Sequence, residues 1–411
     1  MPPLMAHRFP QAYHRMYLSA FLLDFSVAIG LTAVPFFIYE RLYGGAGLSG
    51  LVGAIQMALY AAGCLLSAAF VSRSRNTLHW ALAGVAVFAV LFALAPMVTT
   101  PAGCLITTSL PFLGLALAWP AMQTWLGREP DPLVRGRRLA WFNSATAFGF
   151  TLSPLLAGPL FDLDFRLPFV ALFLVCSAVL VLLLSITQAK TPQHLPPDAQ
   201  DVSQPDEPVP MTQGLLYASW AATFVANGLV SAVRSVYPMG VMTLAETGML
   251  TLFPGRSGEF FASIGPATLF SWLAFLLSLA TVATFAFMGR TRGWQGRFGP
   301  LLFGQAAAAV AFILLGTTAN FGVMLLCVAA VGVNFGIAFF ASIYYSLAQA
   351  RTRHRYAAIN EGVLGAGGFA GAICLGIVAG NAGISVAFQG APVLILAAIA
   401  LQAVLLRKFR L

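Results

Sequence analysis

The sequence predicts an all-α polytopic membrane protein, with twelve transmembrane helices in two pseudo-symmetric bundles of six. Three observations carry this. Hydrophobic residues make up 59% of the 411 and charged residues only 9%, against about 25% charged in a soluble domain. Apolar runs of about 20 residues, the length that crosses a hydrocarbon core, recur twelve times. The second half of the chain repeats polar landmarks of the first at a fixed offset.

The runs lie at 16–39, 48–71, 78–98, 103–126, 138–161, 167–187, 213–238, 260–288, 299–317, 321–348, 357–380 and 384–406, and are numbered here as spans 1 to 12. Lipid cannot satisfy free backbone polar groups, so each must be helical. They are too long and too uniformly apolar for the strands of a membrane barrel, which alternate over about ten residues.

Lysine and arginine orient the chain, because short cytoplasmic loops keep them. With the N-terminus inside, inside segments hold 18 of the 22 basic residues and outside loops hold 3, Arg41, Arg166 and Arg256; Arg234 lies within span 7. Both termini are expected in the cytoplasm and the membrane is expected to be the inner one. The net charge of +9 sits in short loops between apolar runs, which argues against nucleic acid. The polar N-terminus shows no cleavable signal.

Residues 188–212, with six prolines and four acids, read as a cytoplasmic linker. They divide the chain into an N-terminal bundle (1–187) and a C-terminal bundle (213–411). Arg73 and Arg75 after span 2 recur as Arg290 and Arg292 after span 8, at an offset of 217. "RLAWFN" opening span 5 recurs as "RYAAIN" opening span 11, so Arg138 and Asn143 match Arg355 and Asn360 at the same offset. Asp24 and Pro35 in span 1 match Asn227 and Pro238 in span 7 at 203.

On these landmarks the whole chain resembles the major facilitator superfamily. The family's loop between spans 2 and 3 reads like G-x-L-x-D-R-x-G-R; here it is "AAFVSRSRN", with Ser72 in the place of the acid. Span 5 holds "GFTLSPLLAGPLFD", similar to the G-x-x-x-G-P motif of antiporter branches, with Ser153 replacing the glycine before Pro154. Span 4, "FLGLALAWPAMQTWLG", lacks the arginine of many drug/proton antiporters. The resemblance implies parallel halves rocking about a midplane site, with spans 1, 4, 7 and 10 lining a cavity.

Charges within spans are costly and tend to be functional. Asp24, Arg234 and Glu361 qualify. Asp24 falls about 12 Å into span 1. A low-dielectric surrounding favours the neutral form of a carboxyl, so Asp24 is the candidate for proton or cation coupling. Direct solute binding or a structural hydrogen bond are its other readings. Arg234 falls about 30 Å into span 7, near the outer interface, as a gating or snorkelling residue, with no direct pairing to Asp24 expected. Glu361 lies about 9 Å into span 11, near a helix N-terminus that favours negative charge. The family's loop after span 2 packs there, which implies a latch from Arg73 or Arg75 to Glu361; a proton site and a static helix cap are its other readings. Arg290 and Arg292 are the repeat-related gating candidates.

Gln56, Tyr60, Trp119, Gln123, Asn143, Asn227, Asn334 and Tyr344 are candidate solute-contacting residues, and each is equally a candidate for helix–helix hydrogen bonding or packing. Pro35 and Pro120 are expected to kink their helices. A weakly polar, aromatic-rich cavity with one acid suits an amphipathic organic molecule better than a polyanion, which would call for clustered arginines. The five cysteines lie in apolar runs and the five histidines outside their interiors, so neither a disulfide framework nor a metal site is expected. No phosphate loop, HExxH or G-x-S-x-G occurs, and no enzymatic activity or cofactor is expected.

The sequence therefore points to a monomeric secondary transporter of a small organic solute, coupled to a proton or another cation. The span 5 motif tilts the direction toward export. Uptake of a sugar-like nutrient is the alternative. A non-transporting membrane sensor or assembly factor on the same fold is the alternative of another class.

Overall fold

The computed structural model describes residues 10–71, 74, 76–127, 132–188, 213–252, 263–347 and 353–409. Arg73, Arg75 and linker residues 189–212 lie outside them. Twelve helices are long and apolar enough to cross a membrane: Gln11–Leu42, Ala46–Ser67, Thr77–Met97, Pro101–Leu126, Trp141–Leu163, Leu167–Gln188, Gln213–Glu246, Pro266–Arg290, Gly299–Thr317, Phe321–Ser346, Ile359–Ala382 and Ile384–Lys408. They carry the span numbers 1 to 12. Among the described residues there is no strand, only one bridge between Thr251 and Asn320.

The packing order repeats. In the first half, spans 1 and 5, 1 and 6, 2 and 4, 3 and 4, and 3 and 6 pack together; in the second, 7 and 11, 7 and 12, 8 and 10, 9 and 10, and 9 and 12 do. Each second-half pair is a first-half pair with six added to both numbers. The halves meet through spans 2 and 11 and through spans 5 and 8, which are again equivalent.

The equivalence reaches single residues. Gly158 of span 5 lies so close to span 8 that a methyl group on it would stand 2.5 Å from the Ala267 carbonyl oxygen. Gly376 of span 11 lies as close to span 2, with its methyl 2.9 Å from the Gly50 Cα. Gly50 and Ala267 differ by 217, Gly158 and Gly376 by 218. The start of span 11 has gained one residue relative to span 5.

Proline marks where helices break. Span 4 is interrupted at Leu110 before Pro111, span 5 at Ser153 before Pro154 and span 7 at Val236, two residues before Pro238. A proline costs little in a first helical turn, where its missing N–H has no partner to lose. Pro35 and Pro120 stay inside unbroken helices.

Pro238 therefore restarts span 7 rather than ending it, and the span runs to Glu246, eight residues beyond the expected limit. Span 1 likewise begins earlier, and its helix covers Pro10–Leu42. Both corrections change the depth of the charged residues.

Polar side chains join neighbouring helices. Gln305 of span 9 and Gln402 of span 12 exchange two amide hydrogen bonds, at 3.0 and 2.8 Å. The Ser153 hydroxyl donates to the Phe25 carbonyl at 2.7 Å. Its equivalents in the second half are two glycines, and a methyl on Gly371 would overlap the Gly228 carbonyl oxygen. One half ties its first and fifth spans with a hydroxyl, the other by direct backbone contact.

Candidate functional site at the seam between the halves

Span 7 brings Arg234 to the centre of the seam. It lies 12 residues, about 18 Å, from the Glu246 end and so away from the interface expected for it. Its guanidinium sits over the Phe150 ring of span 5, 4.2 Å from the centroid, and donates to Ser278 Oγ of span 8 at 3.2 Å. Arg234 is thus fixed by a contact from the other half and a hydrogen bond within its own.

Asp24 and Arg234 act on each other electrostatically: each carries the charge that affects the other. They share no direct ion pair. No direct pairing was expected either, but the depth of Arg234 was counted from a short span 7, which left their mutual influence unforeseen.

Tyr60 of span 2 lies within the field of both Asp24 and Glu361, and Cys64, one turn on, within that of Glu361. Asp24 and Arg234 thus relate spans 1 and 7 across the seam, and Tyr60 and Cys64 relate span 2 to Glu361 of span 11. The Glu361 side chain is solvent-accessible. Its described surroundings are on span 2, where Gly365 also packs against Ala61.

Two cavities end on Arg234. One lies between Ala28, Leu31 and Thr32 of span 1, Phe150 and Pro154 of span 5, and Phe270, Ala274 and Ser278 of span 8. The other is bounded by spans 1, 2 and 7, with Leu31, Gln56, Asn227 and Ser231 among its walls, and holds about 80 Å³. Small-molecule pockets hold ~300–1,000 Å³, so it is smaller than a site that encloses such a ligand.

The other expected solute contacts divide. Asn227 and Gln56 line the second cavity, and both also hold helices together: Asn227 Nδ2 donates to the Leu364 carbonyl at 2.7 Å and Gln56 Nε2 to the Thr108 carbonyl at 3.0 Å. Gln123 and Asn143 are exposed. Trp119 packs edge-on against Phe142, with centroids 5.8 Å apart. Asn334 is buried with its amide oxygen against Gly304 of span 9, away from the seam. Tyr344 belongs to an aromatic cluster with Trp294 and Tyr345. Arg290 and Arg292 are exposed at the end of span 8.

Sequence reasoning missed the residues that close the far end of the seam. Asp162, ending span 5, accepts hydrogen bonds from the backbone of Ala267 (3.2 Å) and Thr268 (2.8 Å) at the start of span 8, and from the Thr268 hydroxyl. Tyr39 of span 1 donates to Glu246 of span 7 at 3.1 Å. Ser49 of span 2 donates to the Ser235 carbonyl of span 7. These cross-half bonds gather on the face opposite the N-terminus. The acid ending "GPLFD" was the available signal for Asp162.

A family model described as Major Facilitator Superfamily matches residues 16–348. No curated protein matches by sequence. Among solved structures, an inward-facing, occupied bacterial homolog of the human lysosomal transporter Spinster is 13% identical with a TM-score of 0.71, covering 97% of each chain. The nucleoside transporter NupG is 14% identical at 0.66, covering 98% of this chain and 100% of that one. A POT family transporter in complex with a thioalcohol-conjugated peptide is 13% identical at 0.73, covering 97% and 96%. At these identities the likeness is one of fold.

Proposed function

The chain belongs to the major facilitator superfamily, and on that premise we propose that this multi-pass membrane protein moves a small amphipathic organic solute by alternating access, coupled to a proton carried by Asp24. The halves, 1–187 and 213–411 joined by 188–212, rock about the seam that holds Asp24 and Arg234. The observation that carries this reading is Arg234 of the second half, set against Phe150 of the first, bordering both cavities and within electrostatic reach of Asp24. Charge at such depth is retained against a cost of several kcal/mol, and it changes partners most readily where the halves separate.

The coupling follows from electrostatics. Ionised Asp24 compensates Arg234 and draws spans 1 and 7 together; protonated Asp24 releases Arg234. A proton entering from one side therefore alters the attraction between the halves, which is what linkage of proton movement to rocking requires. Glu361, exposed and set against span 2, serves as a gate residue. The aromatic and neutral cavity walls favour a solute with a substantial apolar part.

The cross-half bonds on the face opposite the N-terminus, with the N-terminus placed in the cytoplasm by the positive-inside rule, correspond to a state closed outside. The Gly158–Pro159 step packed on span 8 supports a preference for export, since it carries the antiporter-like motif into the moving interface. Function as a monomer in the inner membrane is part of the same reading.

The test is flux in proteoliposomes under an imposed proton gradient. Wild-type protein accumulates solute against its gradient. Asp24→Asn loses proton-driven accumulation and keeps solute exchange. Unchanged pH dependence in that variant would remove Asp24 from coupling, and absence of flux with every solute of a broad panel would favour a sensor.

A further inference from the structure

Both cavities at the seam are bounded by neutral side chains apart from one, and it is the same one. Arg234 closes the cavity between spans 1, 5 and 8 and the cavity between spans 1, 2 and 7. A guanidinium carries five N–H donors in a planar fork. Of these, one is used by Ser278 Oγ at 3.2 Å, while the ring of Phe150 covers a face of the group and accepts no in-plane bond. When ionised, Asp24 acts on that charge from a distance, and it shares no direct ion pair with it.

We propose that Arg234 is the binding site for a single anionic group, a carboxylate, on the transported solute, and that Phe150 and Phe270 receive the apolar part attached to it. This rests on the reading of Asp24 as the proton carrier and names the substrate class that reading leaves open. An arginine fork matches a carboxylate with two parallel hydrogen bonds. One cation neutralises one charge, so a monoanion leaves the seam neutral when Asp24 is protonated, whereas a dianion leaves an uncompensated charge in a low dielectric.

Charge balance orders the steps. With Asp24 ionised, Arg234 is already compensated and an incoming carboxylate meets a neutral centre. When Asp24 takes a proton, Arg234 becomes an uncompensated cation and the carboxylate restores neutrality. Loss of that proton returns the negative charge to Asp24, which then competes with the solute. Proton and monoanion thus bind together and leave together, which is symport, and under an inward proton gradient this charge balance favours uptake over the export that the span 5 motif suggests. Besides Arg234, the titratable group that senses Asp24 is Tyr60 of span 2, and Glu361 of span 11 also acts on Tyr60; the cavity faces of spans 5 and 8 bring Phe150, Pro154, Phe270, Ala274 and Ser278, which carry no charge.

The experiment is a thermal-stability screen of the full-length protein in detergent, since ligands that bind the folded state raise its melting temperature. The probes are aryl and alkyl monocarboxylates, each beside its uncharged amide, with chloride as a control, at mildly acidic and mildly alkaline pH. The expected result is stabilisation by carboxylates and not by their amides, stronger at acidic pH. Arg234→Gln abolishes it. Arg234→Lys, which keeps the charge without the fork, weakens binding by roughly tenfold or more and guards against misfolding of the glutamine variant. Asp24→Asn keeps carboxylate binding and loses its pH dependence. Amides as effective as carboxylates, an effect reproduced by chloride alone, or stabilisation untouched by Arg234→Gln would overturn the anion site. Persistent pH dependence in Asp24→Asn, with binding still abolished by Arg234→Gln, would instead overturn the coupling role and leave the anion site standing.

Discussion

The Asp162 carboxylate, on the last turn of span 5, caps the first turn of span 8 in the other half through the Thr268 N–H and hydroxyl. The first N–H groups of a helix have no partner within it, and here the partner comes from across the moving interface. A bond of this kind exists only while the halves are closed on that face.

Replacing Asp162 by alanine is therefore expected to change the balance of states more than the stability of either half. Loss of a helix cap costs about 1 kcal/mol, which corresponds to a shift of roughly fivefold away from the closed state. Spin-label distances between the ends of spans 5 and 8 will show a larger open population in Asp162→Ala. Gly265 gives an independent route: a methyl there would overlap the Asp162 carboxyl group, so Gly265→Ala is expected to shift the same distances in the same direction. An unchanged distribution in both variants would reduce the contact to local packing.

Backbone contact between Gly228 and Gly371 supplies the second prediction. A side chain on Gly371 would overlap both the carbonyl oxygen and the Cα of Gly228, and backbone cannot move aside as a flexible side chain can. Gly371→Ala is expected to lower stability by about 1–3 kcal/mol, the range for overpacking, read as a lower melting temperature in detergent. The equivalent contact in the first half is made by Ser153, whose hydroxyl bonds the Phe25 carbonyl. Ser153→Ala loses only that bond, so its effect is expected to be smaller, about 0.6 kcal/mol for an interhelical bond in a membrane protein.

The unequal treatment of these two sites shows what the sequence could and could not convey. Twelve spans, the repeat and the family were legible because length, composition and the 217 offset of Arg73 with Arg290 and Arg138 with Arg355 are linear properties. Which way a residue faces was not. A helix that is apolar all round leaves no moment by which to orient it, because lipid and helix neighbours select the same side chains. Asn334 thus read as a cavity residue and lies against Gly304 of span 9. Arg234 read as an interfacial residue because span 7 was counted only to 238, whereas Pro238 begins a new turn of the same span. Asp24 was legible as an acid within a span, but its electrostatic partner depended on where spans 1 and 7 cross.

Tyr60 yields the last prediction, because both carboxyls act on it. It senses Asp24 of its own half and Glu361 of the other, and a phenol can hydrogen-bond a carboxylate while remaining neutral. If Tyr60 relays between coupling and gate residues, Tyr60→Phe and Glu361→Gln will not act independently. Residues that share a network show interaction energies of about 0.5–3 kcal/mol, whereas independent sites add to within about 0.5. The measurement is the initial rate of proton-driven uptake in proteoliposomes for both single variants and the double variant. The double variant is expected to lose little more than the worse single variant. Additive losses would mean that Tyr60 and Glu361 serve the transport cycle separately, and the relay would be discarded while the role of Asp24 stood untouched.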